Sequence, residues 1–440
     1  MENLLRLLAR SPLICLSLCF ACAASEAAEA NWPLSLNQAL ALAQERNYDL
    51  KLARAALASA QANIEIAAAP PNPTLGISTG SISPSNGIGA GSLWRKQVDT
   101  VFSVGQLIER GDKRELRTEG ARHNARAADA DLQDVQRQLR VLVAQAYADL
   151  QAAQERLLSS RESSQLLDDT LTAAQIRRTA GDIAGADVER VRVDALRAKN
   201  DVVLAENELH RARRFLALLL GESAHADNLQ ASDNWPALEE AELADDKSMQ
   251  LTIERIVAQR ADVRAAIARV EAADTGTRLA QSLRTRDVSV GMQFEHYPQT
   301  SDASNASSNS LGFSVQVPLF VRYYYQGEIS SAAAALDVAT ETLARTKANA
   351  SAEISTALAS LRSAAERVRR NRDELLIAAE KSARAAEYAY KNGALGVMDV
   401  LDARRTLRAT QLDALTAQAD FSKALASWKA AKATTQDVKQ

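Results

Sequence analysis

Among the residues able to ligate metal or attack a substrate, His123, His210, His225 and His296 are scattered along the 440-residue chain. Cys15, Cys19 and Cys22 all lie within its first thirty residues. No cluster of His, Cys and carboxylate has the spacing of a metal centre or of a nucleophile with its base, so the sequence argues against an enzyme and against a resident cofactor. Asp399 and Asp402 form a different kind of pair. Three residues apart, they share one face of a helix. Carboxylates so placed attract cations and repel each other unless protonated or bound to a cation. Asp399 also follows a glycine-containing turn and suits a helix N-cap, as does Asp187 in an earlier turn of the same kind. Chemistry of this sort is electrostatic, and it depends on the long elements that carry the pair.

Those elements are helices. Only 4% of the residues are aromatic, with 17 Gly and 9 Pro, and the rest is dominated by Ala, Leu, Arg, Glu and Gln in helical alternation. The 52 basic and 55 acidic residues are interspersed and sum to a formal charge of -3, which gives no electrostatic reason to propose nucleic acid as a partner. Residues 1–30 read as an export signal: Arg6 and Arg10, an apolar run over 13–24, then Ala28-Glu29-Ala30 with cleavage expected after Ala30. Lipidation of Cys22 is the alternative; Ala21 fits it, while Phe20 and Cys19 do not. Either way the export stage rests on the leader. No later stretch approaches about 20 apolar residues, so a membrane would have to be crossed by strands.

The chain is a duplicated unit. From Val188 to Leu219, apolar residues recur in steps of three and four, a heptad seam, and a shift of 212 positions carries this seam onto Val400 to Ala431 and Gly181 onto Gly393. Val101-Phe102-Ser103-Val104 has a near twin in Gly312-Phe313-Ser314-Val315. The expected organisation is a signal peptide (1–30), a first repeat (31–220), a linker or equatorial segment (221–248), a second repeat (249–432) and a tail (433–440). Each repeat opens with a helix, 35–68 capped by Ser35 or 249–282, followed by two short strands. A long helix comes next, 111–179 or 327–391, spanning roughly 100 Å at its full length. A tight turn then leads to a shorter helix, 187–220 or 399–432.

The strands alternate. Val288, Val290, Met292 and Phe294 face one way and Ser289, Gly291, Gln293 and Glu295 the other. Leu311, Phe313, Val315 and Val317 repeat the pattern, and Leu75, Ile77, Phe102 and Val104 follow it more weakly. Segments of about 10 residues with an apolar and a polar face suit an outer-membrane barrel, apolar toward lipid. Four strands cannot sit in lipid with open edges, so the barrel must be shared. Three chains give twelve strands and a pore, whereas two give eight and a filled interior. The exterior loops are expected at 81–92 and 299–310. The expected fold is mainly α with a small β part: a long antiparallel coiled-coil α-barrel joined to a β-barrel shared by a homotrimer.

At this point the chain resembles the TolC-type outer-membrane efflux family over essentially all of its mature length. Pro71-Asn72-Pro73 before a strand is similar to the family pattern. The run from Gly105 to Arg114, Gly-Gln-Leu-Ile-Glu-Arg-Gly-Asp-Lys-Arg, resembles the strand-to-helix motif of the CzcC-like, heavy-metal branch. Val317-Pro318-Leu319-Phe320 followed by Gln326-Gly327-Glu328 resembles its repeat, although residues 321–325 depart from the polar Asn-Arg-Asn common there. Met398-Asp399-Val400-Leu401-Asp402-Ala403 resembles the family's run at the periplasmic end, which implies that Asp399 and Asp402 ring a closed entrance. The family's gate Arg has no counterpart at Leu395.

The resemblance implies a periplasmic adaptor and an inner-membrane RND-type pump as partners, with outer-membrane lipid around the strands. It places the two tip turns, with Gly181, Asp182, Ile183, Gly393, Leu395, Gly396 and Val397, against the adaptor; local packing between adjacent tips is the alternative use of their apolar residues. The expected function is export of divalent heavy-metal cations through an outer-membrane channel with a long periplasmic extension. Drugs, organic solutes or secreted polypeptides are alternative cargoes, and an exported coiled-coil scaffold without a pore is the alternative of another class.

Overall fold

The computed structural model describes residues 32–82, 84, 85, 87, 88, 92, 98–238, 249–297 and 309–432. The leader with its cysteines and cleavage site, the tail, and most of both expected exterior loops lie outside the described residues. In chain order the elements are β1 (Trp32–Leu34), α1 (Leu36–Arg46), α2 (Tyr48–Ala68), β2 (Thr74–Gly80), β3 (Asp99–Ile108), α3 (Lys113–Thr179), α4 (Gly185–Leu220) and β4 (Leu229–Ala231). They continue with α5 (Met249–Gln259), α6 (Ala261–Ser282), β5 (Val288–His296), β6 (Asn309–Gln316), α7 (Gln326–Arg370), a single π-helical turn (Asn371–Leu375), α8 (Leu376–Lys391) and α9 (Val397–Lys432). Two compact units result, and each draws on both repeats: of the described residues, one unit holds 32–47, 140–238 and 362–426, the other the remainder.

Ser35 caps α1 as expected, in a full capping box with Gln38. The expected helix over 35–68 is nevertheless two helices, because Asn47 turns extended (φ -57°, ψ 136°). Its buried side chain donates from Nδ2 to Leu219 O at 2.9 Å. The helix over 249–282 breaks in the same way at Arg260 (φ -64°, ψ 145°). Both breaks are held by tertiary contacts, which local helix propensity does not register.

In the first unit, β1 and β4 pair in parallel. Tyr147 of α3 locks them: its Oη donates to Leu34 O at 2.9 Å and accepts from the amides of Ser232 and Asp233, each at 3.1 Å. Trp235 donates to Glu155 at 2.7 Å. The linker therefore begins as a structured strap against α3. Heptad residues Val188, Val191, Ala195, Ala198, Ala205 and Leu216 are buried as the seam requires.

The second unit holds an antiparallel sheet in the order β2-β3-β5-β6, with both outer strands open. Its register lines up one apolar row, Leu75, Val104, Met292 and Phe313, and a second, Ile77, Phe102, Phe294 and Leu311. The opposite face carries rows of small and polar residues, such as Gly76, Ser103, Gln293 and Gly312. The ladder ends at Gln316 rather than at Phe320. Pro318 has no N–H to donate and pushes Val317 into extended but unpaired backbone, so Val317 lies beyond the strand it was expected to extend. The helices flanking the sheet follow its order: α3 meets α6 through Glu119 and Arg278 at 2.8 Å, and α6 meets α7 through Thr277 Oγ1 and Ala332 O at 3.2 Å.

Where the sheet meets the helices, Lys113 is buried at the start of α3. Its Nζ donates to Asp287 Oδ1 at 2.7 Å and to Thr285 O at 2.8 Å, and the Arg110 amide donates to the same Oδ1 at 2.9 Å. Gly111 precedes it with φ +74°, and a Cβ there would lie 2.8 Å from Thr285. The Gly-Asp-Lys-Arg motif thus has a local reason: a left-handed turn packed on the second repeat, then a lysine neutralising that repeat's aspartate.

Candidate functional site

The second-repeat tip is built from the end of α8 and the start of α9. Gly393 reverses the chain at φ +74°, with its amide bonded to Tyr390 O at 3.0 Å and the next amide, of Ala394, to Ala389 O at 2.8 Å. These bonds satisfy carbonyls that the helix end would orphan. Helix α9 begins at Val397, so Asp399 is the third helical residue and Gly396 occupies the cap position. The N-cap expected at Asp399 lies three positions earlier, at Gly396. Its Oδ2 instead accepts from the Gly396 amide at 3.0 Å, placing a carboxylate on an orphan N–H where the helix dipole favours negative charge.

Asp402 follows one turn later. Both aspartates are exposed while Val400 and Leu401 between them are buried, so the pair does share the face turned from the core. Neither carboxylate forms an ion pair among the described residues. The first repeat differs. Asp187 is likewise the third residue of its helix, α4, but it pairs with Arg190 at 3.5 Å, and Arg190 stands where a shift of 212 places Asp402. One tip is charge-balanced and the other carries two uncompensated carboxylates.

The apolar tip residues separate into two kinds. Ile183, Val397 and Met398 pack against the buried cluster of Ala174, Val188, Val191 and Leu401, so local packing accounts for them. Leu395 is 40% exposed. Gly181, Asp182, Gly393 and Gly396 are exposed at the surface of the turns. The two hairpins are tied together just above the tips, where Arg177 of α3 donates to the Tyr390 hydroxyl and stacks over its ring. Farther along, Arg405 pairs with Asp194, and Arg408 with Asp201 at 2.8 Å, each joining α9 to α4. Sequence reasoning missed these links. An arginine on a polar helix face names no partner.

On the sheet, Leu75, Ile77, Leu311, Phe313 and Val315 are strongly exposed, Phe313 at 78%, and Val104, Val290 and Met292 are exposed as well. Phe102, Val288 and Phe294 are half-buried. No helix among the described residues is long and apolar enough to cross a membrane. The histidines remain apart, each with its own neighbour: His123 with Glu271, His210 with Asp227, His225 with Glu222 and His296 with Asn309. Among the described residues no three metal-ligating side chains converge.

The sequence profile of the outer membrane efflux protein family matches residues 39–222 and again 252–432. The cobalt-zinc-cadmium resistance protein CzcC of Cupriavidus metallidurans is 28% identical over 389 residues, 86% of this chain and 85% of the relative. A membrane protein from Pseudomonas aeruginosa has the same fold, with a TM-score of 0.75 at 19% identity over 90% of this chain and 92% of that one. So does the outer membrane protein VceC of Vibrio cholerae, with a TM-score of 0.72 at 20% identity over 91% and 96%. Two profile matches that together span most of both repeats establish that the chain belongs to the outer membrane efflux protein family.

Proposed function

We propose that three copies of this chain close into an outer-membrane conduit that exports divalent heavy-metal cations, working with a periplasmic adaptor and an inner-membrane RND-type pump. The observation that carries this reading is the pair of apolar rows crossing all four strands of a sheet whose outer strands are both open. In hydrocarbon each unpaired backbone group would cost several kcal/mol. The edges therefore need further copies, β6 of one chain beside β2 of the next. The helices support the same closure. Tyr48, Leu52, Ala55, Ser59, Ala62 and Ile66 form a second, exposed heptad seam along α2, below one edge. Helix α7, below the other edge, exposes Ser331, Ala335 and Val338.

In such a trimer Asp399 and Asp402 supply about six carboxylates around one axis. Bridged by bound cations, that ring holds the entrance closed until partners draw the tips apart, and it favours cations on the way through. The exposed Leu395, with the glycine turns beside it, is the contact offered to the adaptor. The choice of metal as cargo rests on the relatedness to a cobalt-zinc-cadmium resistance protein. Deleting the gene and measuring tolerance to zinc, cobalt and cadmium beside tolerance to drugs tests it: selective metal sensitivity is expected, and selective drug sensitivity would replace the cargo while leaving the conduit.

A further inference from the structure

The two repeats are out of phase by one residue, and the π turn is where the difference lies. Before that turn, buried seam residues correspond at a spacing of 211: Leu139 with Ala350 (350 − 139), Val143 with Ile354, Leu150 with Leu361, and Leu157 with Val368, all buried. After it the spacing is 212: Ala174 with Ala386 (386 − 174), Val188 with Val400, Ala205 with Ala417, and Leu209 with Phe421, again all buried. The second repeat has gained one residue between Val368 and Ala386. In an unbroken α-helix an extra residue turns everything downstream by about 100° and would swing the seam out of the core. The turn Asn371–Leu375 absorbs it instead, with the Leu376 amide bonded five residues back to Asn371 O.

This turn is present on one side only. Helix α3 runs unbroken from Lys113 to Thr179 and supports the charge-balanced tip of Asp187 and Arg190. The interrupted helix supports the tip whose two carboxylates form no ion pair among the described residues. Asn371 is buried in the turn, and its Nδ2 reaches Asp413 O of α9 only at 3.5 Å, a weak bond. The flanking Arg372, Asp373 and Glu374 are exposed. Helices bend at π turns because the widened ring loosens the regular ladder.

We infer that the turn Asn371–Leu375 is a hinge on which the α8–α9 hairpin moves against the α3–α4 hairpin, carrying Asp399 and Asp402 between closed and open positions. The inference rests on the gate reading of those two aspartates. It does not rest on their charge, only on which hairpin must move.

Deletion of Asp373, whose exposed carboxylate pairs with the adjacent Arg372, tests it beside deletion of Glu162 at the corresponding level of α3. The full chain without Asp373 should fold and assemble like the parent, because the shortened helix closes into regular α-helix with both seams in phase; the chain lacking Glu162 should not assemble. Amides of 371–376 should exchange with deuterium at least tenfold faster in the parent than in the Asp373 deletion. With Asp399→Ala and Asp402→Ala also present, removing Asp373 should cut single-channel conductance severalfold. Loss of assembly on deleting Asp373 would overturn the phase argument, and unchanged exchange or conductance would overturn the hinge. A double-alanine parent that conducts no better than the unaltered chain would instead sink the gate reading, and the hinge's purpose with it, whereas assembly and exchange would still report on the turn itself.

Discussion

The Asp399 carboxylate accepts the Gly396 amide at 3.0 Å, whereas Asp402, one turn along the same exposed face, bonds to nothing comparable. The two aspartates therefore carry different loads, and substitutions separate them. Asp399→Ala removes a helix-start contact worth about 1 kcal/mol together with a charge. Asp402→Ala removes charge alone and should leave stability within about 0.5 kcal/mol. Asp399→Asn keeps an acceptor for the Gly396 amide. Combined with Asp402→Asn, it should relax the closed entrance with little loss of thermal stability, read as conductance beside melting temperature.

A buried lysine paired with a half-buried aspartate fixes the joint between strands and helices. Lys113 is 7% exposed at its side chain and holds Asp287. Without Lys113 the partly exposed Asp287 keeps only the Arg110 amide, so Lys113→Ala should destabilise the folded protomer by roughly 2 kcal/mol. Denaturant unfolding of the refolded protein measures this. A cost below about 0.5 kcal/mol, the range of an exposed pair, would show that the joint is held by other contacts.

The two faces of β6 should respond oppositely to charge. Phe313→Arg places a cation on the apolar face, at about 2–4 kcal/mol near the bilayer midplane, and should reduce the amount inserted in the outer membrane. Ser314→Arg, on the opposite face, should insert normally and lower cation conductance. Equal insertion defects in both variants would contradict the assignment of faces.

Acid should loosen the node around Arg260, which is buried and contacts Asp262 at 2.8 Å and Glu353 at 2.7 Å. Burial alone would raise both carboxyls, but the hydrogen bonds and charge of Arg260 hold Asp262 below its ordinary 3.8, and Arg260 together with Arg137 holds Glu353 below its ordinary 4.5. A carboxylate with a depressed folded pKa contributes stability above its unfolded pKa and loses it as pH falls through the folded value. Stability should therefore be level above about pH 5 and decline below about pH 4. Arg260→Met should flatten that slope as well as lower the plateau, which urea midpoints across pH would show.

Much of this architecture was legible because it is periodic. Val188 to Leu219 and their counterparts announce a coiled coil, and Val290, Met292 and Phe294 announce a two-faced strand, since both patterns recur in the chain itself. What stayed hidden is held by single distant contacts. Asn47 breaks a helix to reach Leu219, and Arg260 does so to reach Glu353; nothing adjacent in sequence marks either. The π turn was half visible: Phe102 and Phe313 stand 211 apart, whereas Gly181 and Gly393 stand 212 apart. The two spacings together imply one residue gained in the second repeat between those landmarks. Pro318 marked the end of β6 in plain view, and the alternation of Val317 and Leu319 ran past it. At the gate, spacing alone placed Asp399 and Asp402 on one face. The balancing Arg190 on the first repeat became meaningful only once both tips could be compared.

The proposed conduit is closed, cation-selective and made of several copies. Its most direct test is to extract the protein from outer membranes in mild detergent, measure its mass, and record single-channel conductance in a planar bilayer with and without Asp399→Ala and Asp402→Ala. The expected result is the mass of three chains, low conductance in the unaltered protein, and a large increase in the double variant. A soluble monomer or dimer with no conductance in either form would contradict it.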